Sequence, residues 1–349
     1  MPRTVTYREA ISEAFVQGFA NDPHLFMMGC GVTDPKGIFG TTLEVAKQFG
    51  KERVFDIPLS ENAITGIAIG AAIVGWHPIL VHQRSDFLLL TMDQIVNNAA
   101  KWKYMSGGKL DVPLIIRSIV GRGWGQAAQH SQNLHAIFAH IPGLKVVLPS
   151  DAYDAKGLMM TSFATNSPVI FIEHRWLHET TGEVPKEPYQ IPFGKAAIKR
   201  VGSDLTIIAI SHMVTEALKA AEELGHEGIQ AEVCDLRTIS PIDWETVFES
   251  IRKTRRAIIC DTGWKSFGVS AEISAQIYEK IGSLLETPVL RIALPDSPTP
   301  CSAELENEYY PSIAGIVQSA KKLMSTHKQK VSAASREVSY GQKEFTGPF

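Results

Sequence analysis

Short uninterrupted apolar runs alternate along this chain with stretches where apolar residues return every three or four positions. In 5–20, Tyr7, Ile11, Phe15 and Phe19 recur at fours, the spacing of one helical face. Residues 25–29, 78–83, 113–118, 144–148 and 169–172 are apolar without alternation, which predicts strands buried on both faces. Helices are expected over about 90–104, closing at Gly107-Gly108, and over 151–165. Around 174–195 the periodicity fades and Pro185, Pro188 and Pro192 mark an extended connection. The alternation then resumes. Strands are predicted at 204–210, 231–236, 257–261 and 289–293, with helices from about 214, after Pro241 and over 269–283.

Strands alternating with helices indicate parallel sheets covered on both faces. The expectation is an α/β protein with two doubly wound parallel-sheet domains. The first spans 1–185, a linker 186–200, the second domain 201–325 and a polar tail 326–349. The tail ends in Phe345-Thr-Gly-Pro-Phe349, aromatics suited to docking on a neighbouring chain.

One segment, 53–70, stands apart. An apolar run containing Pro58 stops at Ser60, a good N-cap, and small and β-branched residues follow, with Gly66 and Gly70 spaced for close packing. Glu61 is the sole acid of that helix and falls in its first turn, where unpaired N–H groups and the helix dipole favour a carboxylate. Taken alone it reads as a capping acid.

Composition narrows the setting. The 349 residues carry 34 Lys plus Arg against 37 Asp plus Glu, with no basic block, which argues against nucleic acid or an anionic membrane as partner. No apolar run approaches a membrane span. The N-terminal segment lacks the apolar core of a signal peptide, so a cytoplasmic setting is expected. Cys30, Cys234, Cys260 and Cys301 are far apart and are expected as free thiols.

The usual catalytic patterns are missing. The glycine-bearing loop 29–37 matches no phosphate-binding motif, and neither Gly-x-Ser-x-Gly nor His-Glu-x-x-His occurs. His130 and His135, five apart, do not share a helical face. The residues by themselves lead to a two-domain α/β protein with a site at the carboxyl ends of its strands.

The motifs in combination lead further. Leu59-Ser60-Glu61, Asp86-Phe87 with Asp93-Gln94, Gln129-His130-Ser131-Gln132 and Pro142-Gly143-Leu-Lys-Val-Val strongly resemble the beta chain of thiamine-diphosphate-dependent 2-oxoacid dehydrogenases, of the pyruvate, branched-chain or acetoin type, within the transketolase superfamily. The likeness runs from about 5 to 325. It includes Ala99-Ala-Lys101, Met105-Ser-Gly-Gly108, Asp154-Ala-Lys-Gly157, Leu236-Arg-Thr-Ile-Ser-Pro241 and the terminal Gly-Pro-Phe.

The resemblance implies a transketolase pyrimidine-binding domain followed by a transketolase C-terminal domain. It implies that Glu61 bonds the aminopyrimidine of thiamine diphosphate and favours the imino tautomer, which draws the proton from the thiazolium carbon. Phe87 matches the aromatic stacked on that ring, and Leu59 is placed to pack against it. His130 matches the histidine that handles the substrate carboxylate or the acyl transfer. The Gly-Asp-Gly signature of diphosphate and magnesium binding is absent, so an alpha chain is implied to supply that half in a heterotetramer of two alpha and two beta chains. A lipoyl acyltransferase core is a further implied partner and a small 2-oxoacid the substrate. Leu114, Ser162, Thr165 and Ser167 match positions that hold a structural potassium through main-chain oxygens.

Two departures stand out. Cys30-Gly31 replaces an acidic pair, and Val81 replaces a glutamate, with Arg84 nearby in place of an apolar residue. Arg84, Arg122 and Trp124 are expected at the substrate entrance. The lost acids keep a second reaction open, a split transketolase or carboligase moving a ketol or acyl unit without lipoyl. A non-catalytic scaffold is disfavoured by intact Glu61 and His130.

Overall fold

A computed structural model describes residues 3–121 and 126–325. The strands are β1 (Arg3–Thr6), β2 (Leu25–Gly29), β3 (Val54–Asp56), β4 (His77–His82), β5 (Ile115–Val120), β6 (Lys145–Val147), β7 (Val169–His174), β8 (Thr181–Val184), β9 (Ala197–Arg200), β10 (Leu205–Ala209), β11 (Ala231–Asp235), β12 (Thr238–Ser240), β13 (Ala257–Trp264) and β14 (Leu290–Leu294). Seven form one sheet in the order β12-β6-β7-β5-β4-β2-β3, and five form a second in the order β14-β13-β10-β11-β9. Within each sheet the pairs are parallel except at one edge, where β12 and β9 run antiparallel to their neighbours. The two doubly wound parallel-sheet domains expected from the apolar pattern are present.

The unbroken apolar runs are explained by burial on both sides. Along β4, Ile79 and Val81 enter one core while Leu80 enters another. In β10, Leu205, Ile207 and Ala209 face one core, and Ile208 the other. The Tyr7–Asn21 helix lays Tyr7, Ile11, Phe15 and Phe19 into the first domain, and all four are buried. Full burial of such side chains contributes about 1.5–3 kcal/mol each. A capping box of Thr6 and Glu9 starts this helix.

The domains are not separate beads. A single apolar cluster runs from Ile64, Leu80 and Phe138 of the first domain to Ile208, Ile239 and Ile259 of the second. Strand β12 leaves the second domain to pair with β6 of the first sheet. Near it, Lys199 lies 2.6 Å from Asp154 and 2.7 Å from Asp151, and Arg237 2.7 Å from Asp154.

Three expectations need revision. Part of the supposed linker 186–200 is strand β9, which pairs with β11 because its backbone completes an otherwise open sheet edge. Part of the proline-rich stretch is β8, paired with β1. The helix expected at 90–104 is a 3₁₀ segment Ser85–Thr91, a π-helix Gln94–Ala99 and a four-residue α-helix Trp102–Met105. In the π-helix the Ala100 N–H reaches back to the Ile95 carbonyl at 3.0 Å, five residues away. Such wide turns gather at functional sites. The tail 326–349 lies outside the described residues. No helix among the described residues is long and apolar enough to cross a membrane.

Candidate active site

The first sheet reverses its winding at β2, which pairs with β3 on one side and β4 on the other. The β2–β3 connection includes a helix, Leu43–Phe49, whose Val45 joins one core; the β3–β4 connection includes Glu61–Ile73, whose Ile64 and Ala68 join the opposite core. Such a switch point leaves a crevice at the carboxyl ends of the strands. Here the crevice is a cleft of about 80 Å³ lined by Cys30, Ile57, Pro58, Leu59, Glu61, Val81, His82, Gln83 and Phe87.

Glu61 is the first residue of its helix. Its carboxylate has no hydrogen bond or ion pair among the described residues, whereas its own carbonyl accepts from the Thr65 hydroxyl at 2.7 Å. Ser60 occupies the N-cap position but makes no capping bond with its side chain, so the expected cap chemistry is absent. Cys30 sits beside the cleft with its thiol pushed up by burial and by the carboxylates of Asp56, Asp34 and Glu61. A neutral thiol and the apolar Val81 thus flank Glu61 where the resemblance led one to expect acids. Gly31 explains the local sequence. Its φ of +77° is left-handed, and a Cβ there would sit 2.5 Å from Gln83 Nε2, which donates to the Cys30 carbonyl at 3.0 Å.

On the far wall, the Phe87 ring stands 5.7 Å from the His130 ring, tilted by 54°. The preceding Asp86 accepts from Gln132 Nε2 at 2.7 Å, and Ser85 donates its hydroxyl to the Gln132 carbonyl. Burial raises the Asp86 carboxyl against the opposing effect of the Gln132 bond. His130, distant in sequence, is thereby fastened beside Phe87 with its ring exposed to solvent. Buried His82 lies behind the cleft, its imidazole lowered to about 4 by desolvation and so neutral at physiological pH.

The structure brings Glu61, Leu59 and Phe87 to one cleft and His130 to its rim. Leu59 is 78% exposed, a wall with nothing yet against it. Arg84 is not at an entrance. It is 5% exposed, donates to the Gly121 carbonyl at 2.6 Å and lies 5.6 Å from the centre of the Phe39 ring, which together satisfy a guanidinium indoors. Arg122 and Trp124 lie outside the described residues. Leu114 and the 162–167 turn are neighbours, since the Val112 N–H bonds the Asn166 carbonyl at 3.3 Å and the Val169 N–H bonds that of Leu114 at 2.9 Å. Sequence reasoning passed over Gln83 and Gln132, whose roles depend on carbonyl and carboxylate partners far along the chain.

The lining suits a flat heteroaromatic ring, with apolar walls, one aromatic face and one unpaired carboxylate. It does not suit a diphosphate. Among the described residues no Lys or Arg lines the cleft, and no cluster of three His, Cys, Asp or Glu could hold a metal. A second apolar surface adjoins it. Ala63, Ile67, Gly70 and Val74 of the Glu61 helix and its end form an exposed stripe, with Ile67 61% and Val74 75% exposed. Apart from its own helix backbone and chain neighbours, no atom of the described residues would come within 4 Å of a Cβ at Gly70.

Fold and cleft together define a two-domain α/β chain with a crevice at the carboxyl ends of its first sheet. The chain belongs to the transketolase family: its pyrimidine binding domain model matches residues 3–179 and its C-terminal domain model 194–316. It is 44% identical over 333 residues to the beta subunit of acetoin:2,6-dichlorophenolindophenol oxidoreductase of Cupriavidus necator, covering 93% of this chain and 98% of that one. To the pyruvate dehydrogenase E1 component subunit beta of Bacillus subtilis it is 40% identical, covering 92% and 98%. A solved split-gene transketolase, an inactive beta4 tetramer, shares the fold with a TM-score of 0.75 at 23% identity, over 93% of this chain and 99% of that one.

Proposed function

We propose that this chain is the beta subunit of a thiamine-diphosphate-dependent 2-oxoacid dehydrogenase, working with an alpha chain that holds the diphosphate and its magnesium. The observation that carries this reading is Glu61, at the head of its helix in a cleft shared with Phe87, with neither a partner nor a lining cation among the described residues. Relatives named for acetoin and for pyruvate support a small oxo compound as substrate. The chemistry supplied by bound thiamine diphosphate is nucleophilic addition to an oxo carbon.

The chain's own residues would act around it. Glu61 offers its carboxylate to the aminopyrimidine and governs proton placement there, in surroundings dry enough to strengthen the contact. Phe87 holds the ring flat, and Leu59 closes its edge once a partner chain covers it. His130, at the rim beside Phe87, meets the substrate carboxylate or the acyl group leaving for a lipoyl carrier. The exposed stripe of Ala63, Ile67, Gly70 and Val74 supports a partner surface continuous with the site, consistent with a heterotetramer of two alpha and two beta chains. Carbonyls of Leu114, Ser162, Thr165 and Ser167 would hold potassium. The setting proposed is the cytoplasm.

The test is co-expression with the neighbouring alpha-type chain, followed by dye-reduction assays with 2-oxoacids and acetoin alongside ketol transfer. Dye reduction dependent on both chains is expected. Ketol transfer without dye reduction would replace this reading with the split transketolase, which the neutral Cys30 and Val81 favour.

A further inference from the structure

Loop 126–135 carries His130, yet its far end is tied to the other domain. Asn133 Nδ2 donates to the Thr262 carbonyl at 2.7 Å, and His135 Nε2 lies 2.9 Å from Asp261 Oδ1. His135 and Asp261 are wholly buried and Asn133 is 3% exposed. The strand runs close against the imidazole, since a Cβ on Gly263 would meet His135 Cε1 at 3.1 Å. Burial works to raise the Asp261 carboxyl, but His135 and the N–H groups of Gly263 and Thr262 outweigh it and hold the group below its ordinary range.

We propose that Asp261 and the Thr262 carbonyl, on β13 of the second domain, are the positioning element that holds the His130 loop at the rim of the first domain's cleft. The Asn133 anchor falls three residues after His130, and the Gln132 bonds to Asp86 and Ser85 tie the intervening chain to the Phe87 segment. Between these anchors little play remains, and the His130–Phe87 separation is set by both domains together. The domains already cohere through the apolar cluster around Ile208, Ile239 and Ile259, so these buried polar contacts are not needed to join them. What they add is direction, because a carboxylate and a carbonyl accept only donors placed in register, whereas apolar contacts tolerate sliding. The proposal rests on the assignment of His130 to the reaction.

The experiment uses the full chain assembled with its alpha-type partner. Asp261→Asn and Asn133→Ala are each made alone and combined with His130→Ala. Turnover in dye reduction is measured, together with amide hydrogen exchange over 126–135. Either single variant is expected to lower kcat about 10- to 100-fold, the scale of a small misplacement at a reacting centre. Exchange over 126–135 should rise while β10 and β11 stay protected. On the His130→Ala background the same change should cost no more than about twofold, as for residues acting through one group. Equal losses on both backgrounds, or unchanged exchange over 126–135, would overturn the proposal. Full turnover in His130→Ala alone would instead remove His130 from the reaction, and the exchange measurement would still report whether Asp261 holds the loop. Should Asp261→Asn fail to fold, Asn133→Ala, which leaves the His135–Asp261 contact in place, carries the same tests.

Discussion

Two groups of carboxylates near the carboxyl ends of parallel strands, one in each domain, are used in opposite ways, although the first domain also holds paired acids such as Glu173, bound by Arg117 and His178. In the second domain Asp235 accepts from the Ser150 hydroxyl at 2.5 Å and the Arg237 N–H at 2.9 Å, with Lys199 at 3.8 Å, and Asp261 faces His135. Each of those acids has at least one oxygen engaged within the chain. In the first domain Glu61 stands at the head of a helix with no partner for its carboxylate among the described residues. The same winding has produced a clamp in one half and an open socket in the other. Residues spent on internal pairing hold geometry, and a residue left unpaired is available to a ligand.

The sharpest way to break this contrast is Glu61→Gln. Dye-reduction turnover of the assembled enzyme should fall about a thousandfold, on the scale of losing a preorganised electrostatic contact. The urea midpoint of the isolated chain should move only by the helix-dipole contribution, about 0.3–1 kcal/mol, because among the described residues the carboxylate has no hydrogen bond or ion pair to lose. Asp154→Ala addresses the opposite case. Asp154 is wholly buried between Lys199 and Arg237; removing it takes away the carboxylate 2.7 Å from Arg237 while Lys199 keeps Asp151, so stability should drop by about 1–3 kcal/mol in urea unfolding.

A pH series separates the regions more finely. Burial lowers the imidazoles of His82, in the first domain, and His212, in the second, from 6.5 to about 4. Between those values the unfolded chain binds protons that the folded one refuses. Stability should therefore fall as pH drops from 6.5 to 4, by at most about 1.4 kcal/mol per pH unit for each group, and these groups add nothing further below 4. His82→Leu and His212→Leu should each flatten the urea-midpoint profile, and the larger change identifies the more sensitive domain. The smallest effect is expected from Gly31→Ala. A side chain at φ +77° and 2.5 Å from Gln83 should cost about 1–2 kcal/mol, read as a lowered thermal midpoint.

The strands of both domains were legible because burial on two faces leaves an unbroken apolar run, and helices such as Tyr7–Asn21 because one face repeats at fours. Strands β1, β8 and β12 were not legible. They are three or four residues long, and it is the partner edge, not their own composition, that makes them strands. Arg84 was misplaced for a related reason. An arginine reads as a surface residue until a carbonyl and an aromatic ring that accept it are found, here Gly121 and Phe39. Glu61, Phe87 and His130 were reached through motif spacing, whereas the Asn133–Thr262 and His135–Asp261 contacts join residues 129 and 126 positions apart, beyond any local pattern.

The bare stripe on the Glu61 helix has a consequence for the cell as well as for the site. Ile67 and Val74, with Leu59 beside the cleft, present apolar surface that a lone copy cannot hide. A cell making this chain in excess of its counterpart would accumulate a sticky orphan, a substrate for chaperones and proteases. Synthesis of this chain is then tied to the supply of whatever covers it, a constraint imposed by one face of one helix.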